Sequence, residues 1–210
     1  MKTEDLIAAL SADTLPQKTV AQQLARALPV AMVISIAAFL AFWGPRPDIW
    51  TALGSVAVLK TILPLGLAVM AAALALSLTH PGIRHDIRGA ALALFVVLVL
   101  GAFGAALLNA GLAGLIAALS TPSLQACLLS IPVLGLPVLL AVFWALSSGA
   151  ALQPRLTGAV AGLIAGGLAA SVYSLYCDKD MVLFVVPAYF TAIASIAVIG
   201  ALLGPRLLKW

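Results

Sequence analysis

Residues 89–109 read GAALALFVVLVLGAFGAALLN, with no charged side chain among them. An α-helix of about 20 mostly apolar residues crosses a hydrocarbon core of about 30 Å. This stretch therefore has the length and composition of a membrane span. Five further segments meet that length or come close: 27–43, 54–79, 124–148, 156–177 and 181–204. Between them lie short connections rich in Pro, Gly, Asp, Ser or charge, and no connection is long enough for a soluble domain. The spacing predicts an all-α polytopic membrane protein with six transmembrane helices. Residues 1–26 form a cytoplasmic N-terminal amphipathic segment and 27–210 the bundle. Composition agrees. Of the 210 residues, 64% are hydrophobic and 9% charged, against roughly 25% charged in soluble domains. So little charge does not cover a water-facing surface.

Lys and Arg placement sets the orientation. With the N-terminus inside, Lys2, Lys18, Arg26, Arg84, Arg88, Arg155, Arg206 and Lys209 fall on the cytoplasmic side, and Arg46 and Lys179 fall outside. An even number of spans keeps both termini and the basic 80–88 loop on one side. The basic residues are scattered singly, which gives no footprint for direct nucleic-acid binding. The first 25 residues carry Glu4, Asp5 and Asp13 and lack a basic start followed by an apolar run, so no secretory signal is read there.

That opening stretch differs in kind from the rest. Thr3 can cap a helix whose first turn holds Glu4 and Asp5. Leu6, Ile7 and Leu10 then share one face, Pro16 interrupts, and Lys18–Leu28 resumes with Val20, Leu24 and Leu28 at intervals of four. Two readings stand: a segment lying on membrane lipid, or a helix that docks a protein.

Few residues offer chemistry. Cys127 and Cys177 are the two cysteines. They fall at the outward ends of the fourth and fifth spans, at matching depth. They could form a disulfide if their Cα atoms approach within about 7 Å. They could bind a soft metal ion, with Asp178 or Asp180 adding oxygen. They could also be ordinary small apolar residues. Lys60 lies inside the second span, where a charge invites a functional reading. Snorkelling to the nearby interface is the simpler reading and is favoured. His80 and His85 sit in the polar loop before Arg88, which reads as a lipid- or partner-facing turn rather than a metal site. Gly158, Gly162 and Gly166 make a small-residue face for close helix packing. Pro64, Pro132, Pro137 and Pro187 predict kinks that membrane helices tolerate. No catalytic constellation occurs, so no enzyme is read and no cofactor is implied.

The opening MKTEDLIAALSAD, the six helices and the pair Cys127 and Cys177 resemble the NrsF family, negative regulators of an extracytoplasmic-function sigma factor. The likeness runs over essentially the whole chain, and the Arg84–Arg88 loop looks similar too. The resemblance implies a multi-pass anti-sigma factor of a bacterial inner membrane. It implies that the protein sequesters its sigma factor and releases it on heavy-metal stress such as chromate or cadmium, sensed at a periplasmic cysteine pair. Those cysteines are Cys127 and Cys177 here. Leu6, Ile7 and Leu10 become the expected sigma-factor anchors, helped by Arg84 and Arg88. About 25 residues is a small inhibitory segment, so inhibition calls on the short loops or on more than one copy of the chain, a homo-oligomer. The competing readings are a small transporter or channel for a metal ion or solute, a membrane thiol oxidoreductase, and a structural subunit.

Overall fold

The structure is a computed structural model that describes Thr3 and residues 19–79, 86–149 and 151–208. Every regular element among them is helical. In chain order they are α1 (Val20–Phe42), the short α2 (Ile49–Leu53), a single 3₁₀ turn (Val56–Val58), α3 (Leu59–Leu78), α4 (Asp86–Leu119), α5 (Pro122–Leu146), α6 (Pro154–Tyr173) and α7 (Val182–Leu207). All but α2 are long and apolar enough to cross a membrane, the second span beginning with the 3₁₀ turn, so the expected six spans are present.

Local signals set the boundaries. Thr19 caps α1 through a capping box, its hydroxyl accepting from the Gln22 amide while the Gln22 side chain accepts from the Thr19 amide. Residues 20–26 are thus continuous with the first span. Pro122 and Pro154 open α5 and α6, where a missing N–H costs nothing. The expected end of the third span near residue 109 is a correction. The chain turns at Gly111, whose φ of +69° suits glycine, and then runs helical again to Leu119. The apolar run Leu-Ala-Gly-Leu-Ile-Ala-Ala-Leu over 112–119 is a helix former once past that break.

The bundle is built around α6. It packs on α7, α3 and α5 and touches α1, while α5 also packs on α1 and α7. Almost all of α6 is buried, whereas α4, which rests on α7 and α3, is almost wholly exposed along its apolar length. Between helices in lipid the gain comes from close packing rather than from a hydrophobic drive. The sequence supplies that at the α6–α7 seam. A Cβ added at Gly158 would meet the Gly200 carbonyl oxygen at 2.2 Å, and one at Gly162 would lie 2.5 Å from the Ala197 Cα. Gly167, on another face of α6, admits the Pro64 carbonyl of α3 in the same way. The stripe expected at Gly158, Gly162 and Gly166 is therefore a backbone-to-backbone contact.

The α1–α5 seam carries a buried hydrogen bond from the Ser35 hydroxyl to the Leu134 carbonyl, 2.8 Å. Thr61 and Ser174 join α3 to the end of α6 through their hydroxyls, 2.7 Å apart. The two ends of the bundle differ in charge. One gathers Arg46, Lys60 and Lys179 with Asp48, Asp178 and Asp180, three bases against three acids. Among the described residues, the other carries Arg26, Arg88, Arg155 and Arg206 with one acid, Asp86.

Candidate functional site, a thiol pair under an ionic clasp

The neutral end of the bundle holds both cysteines. Cys127 lies in the second turn of α5 and Cys177 just past α6, and both are buried, at 0% and 3% exposure. Both are free thiols that face one another across the α5–α6 seam. The phenols of Tyr173 and Tyr189 flank them. Tyr189 is buried, and its hydroxyl has no hydrogen-bond partner among the described residues; the weakly accepting Cys177 sulfur is a neighbour.

Two cations fix the strand of backbone that carries Cys177. Lys60, at the start of α3, donates to the Cys177 carbonyl and to Asp180 Oδ1, the latter at 2.6 Å. Arg46, between α1 and α2, donates to the same carbonyl at 3.3 Å and to the same carboxylate oxygen at 3.1 Å. Arg46 also grips Asp48 with two short bonds, 2.6 and 2.7 Å, and its amide donates to the Leu175 carbonyl. These charge-assisted contacts are the strong kind.

The snorkelling read for Lys60 needs correction. Its stem does run to the end of the bundle, but the residue is only 7% exposed and the ammonium is held by protein partners. The span begins with the 3₁₀ turn at Val56, so Lys60 sits about one turn from its end rather than two. Its partners are 117 to 120 residues away in sequence. Arg46 lies in the Pro-rich loop after α1, and its Cys177 and Asp180 partners are likewise more than 130 residues away.

The electrostatics follow from these contacts. The hydrogen bond to Asp48 is the main effect raising the Arg46 pKa, and it outweighs the cost of burial. Asp48 is lowered in return by Arg46. For Asp180 burial acts upward and is the largest single influence, yet the bonds from Lys60 and Arg46 together hold it below the usual carboxylate range. The Cys177 thiol is also lowered. The hydrogen bond from Cys127 is the chief cause, against the opposing effect of burial, and the charge of Lys60 adds to it.

A cavity of about 650 Å³ opens beside Cys177, lined by that residue with Trp43, Arg46, Ser123, Tyr173 and Tyr176 among others. Among the described residues no group of three His, Cys, Asp or Glu side chains is placed to hold a metal ion. Asp178 pairs with Lys179 at 3.0 Å and Asp180 with Lys60 and Arg46. The carboxylates expected beside Cys127 and Cys177 as oxygen ligands are thus engaged elsewhere.

At the opposite end, Arg88 donates to the Ala73 carbonyl at 2.9 Å and the Ser77 hydroxyl at 2.8 Å. It fastens the start of α4 to α3 while remaining exposed. Leu6, Ile7, Leu10 and Arg84 lie outside the described residues, as do His80 and His85.

The chain matches the family model described as negative regulator of sigma F over residues 9–210. It is 32% identical over 228 residues to the anti-sigma-F factor NrsF of Caulobacter vibrioides, the alignment covering 100% of both chains. It is 38% identical over 86 residues to the probable anti-sigma-F factor NrsF of Azospira oryzae, covering 41% of this chain and 40% of the relative. No solved structure matches. The extent of these matches places the chain in the NrsF family of negative regulators of sigma F.

Proposed function

We propose that this chain is an anti-sigma factor of a bacterial inner membrane. Both termini face the cytoplasm, where it holds an extracytoplasmic-function sigma factor. Thiol chemistry at Cys127 and Cys177 on the periplasmic side, driven by heavy metals or oxidants, releases that factor. Family membership supports a sigma-factor partner. The observation that carries the sensing reading is the meeting of two buried thiols, one of which, Cys177, lines an open cavity. A basic end opposite a neutral end supports the orientation.

The pair acts through its sulfurs. Oxidation removes one hydrogen from each thiol and joins them as a disulfide. Two thiolates alone also suit a soft metal ion. Either event changes the contact between α5 and α6, and α5 carries α1. Inside, the segment before α1 docks the sigma factor through Leu6, Ile7 and Leu10, with Arg84 and Arg88 beside it. A thiol event moves the equilibrium only by its differential affinity for the two packings; roughly 3 kcal/mol is a change of about 150-fold.

The transporter reading asks for polar groups along a path. The cavities between α3, α4 and α7 are walled almost wholly by apolar side chains, which favours regulation. The test is a pull-down from native membranes in mild detergent, using the full chain and a form lacking residues 2–15. A sigma factor should co-purify with the first and be lost from the second. Its absence from both, with expression verified, sinks the proposal.

A further inference from the structure

The thiol-bearing backbone from Cys177 to Met181 has no regular structure. Among the described residues its only tie to the end of α6 is one helical-type bond, from the Cys177 amide to the Tyr173 carbonyl at 3.2 Å. The Cys177 carbonyl is held instead by Lys60 and Arg46, at a cost. A buried ammonium is expensive unless its donors are satisfied, and apolar groups would fill the same volume more cheaply. Both cations converge on one carbonyl, that of Cys177, and on one carboxylate oxygen, that of Asp180. They come from different elements, Lys60 from the start of α3 and Arg46 from the chain just beyond α1. Packing alone would not require two charges to meet at a cysteine's own backbone.

We propose that Lys60 is the positioning residue of the thiol pair. Its ammonium and the Arg46 guanidinium clasp the Cys177 backbone and Asp180, setting Cys177 against Cys127 and tying that loop to the exit of α1. The inference rests on the regulatory reading above and adds a route to it. Arg46 follows α1 by four residues, and α1 begins at Val20, directly after the proposed sigma-binding segment. The second hold on α1 is the Ser35 bond to α5, the helix of Cys127. Each thiol is thus coupled to α1, one through the clasp and one through the α1–α5 seam. When the sulfurs join, the Cys177 backbone shifts, the carbonyl that Arg46 holds shifts with it, and the pull passes through Arg46 to α1.

The experiment uses the full chain in membranes treated with diamide. This azo compound takes up the two electrons and two protons of the thiols and leaves as the hydrazine while the S–S bond forms. Disulfide formation is followed by mass spectrometry after blocking free thiols. K60M should slow it about tenfold, equivalent to about 1.4 kcal/mol and the order of one charge-assisted hydrogen bond. K60R, which keeps a charged donor, should recover most of the rate. D180N, which leaves the lysine its carbonyl, should fall between, and it carries the test if K60M does not fold. Hydrogen exchange in detergent then reads the first turns of α1. Oxidation should change their protection in the wild-type chain, and R46Q should abolish that change while the disulfide still forms. Wild-type rates in both K60M and D180N overturn the positioning role, and an α1 indifferent to oxidation overturns the route. Neither readout contains a sigma factor. A clasp that behaves as expected in a chain that binds no sigma factor therefore counts against the regulatory reading alone.

Discussion

A thiol reacts through its thiolate, so the lowered pKa of Cys177 has a direct readout. Alkylation of Cys177 in membranes should rise with pH at values below those that activate free cysteine. The chief cause is the hydrogen bond from Cys127. Cys127→Ala should therefore move the midpoint upward, toward ordinary thiol behaviour, as followed by iodoacetamide labelling against pH. Asp180 gives a second pH dependence. Its folded pKa is below its unfolded one, so its contribution to stability is present above the unfolded value, about 4, and is lost as pH falls through the folded value. Thermal unfolding in detergent should shift to lower temperature as the medium is taken below about pH 4. D180N should be less stable at neutral pH and show less of that acid loss. The cysteines were legible in the sequence as a pair because they are the only two and share a depth. Lys60 and Arg46 were not, because a charge is assigned its role by partners that sequence does not place. Asp180 was noticed as an oxygen ligand, yet its true company is two cations.

Elements were more legible than residues. Six spans follow from apolar length alone, and the α6 glycine stripe announces a close neighbour. The helical tail of α4 past Gly111 is not legible in the sequence, because a Gly-rich stretch near a span end reads as a loop, and a single positive φ reconciles the two. The identity of α7 as the stripe's partner also waited for the fold, since small residues at 200 and 204 are unremarkable by themselves. The seam makes a quantitative expectation. Gly158→Ala places a methyl against the Gly200 carbonyl, which is backbone and cannot swing away. It should cost about 1–3 kcal/mol of stability. Gly104→Ala on α4 meets nothing within 4 Å and should change stability by less than about 0.5 kcal/mol. Unfolding in graded SDS compares the two; equal losses would mean that α6 and α7 do not approach as described.

At the scale of the whole molecule the two ends of the bundle divide the proposed work, sensing at the neutral end and sigma-factor binding at the basic one. A reporter driven by the sigma factor separates a regulator from an oxidoreductase. Cys127→Ser and Cys177→Ser should each hold the output at one fixed level whatever the metal dose, with the protein still present in the membrane. An output that still follows the dose would remove the cysteines from the pathway.

The position of α6 in the chain has a further consequence, for biosynthesis. The helix on which α3, α5 and α7 all pack is the fifth span to leave the ribosome. Chains emerge and begin to fold from their N-terminal end. The first four spans must therefore wait side by side in the bilayer, with little beyond the α1–α5 and α3–α4 contacts to hold them. Cys127 is already in place during that interval, unshielded and without its partner, for as long as translation takes to reach Cys177.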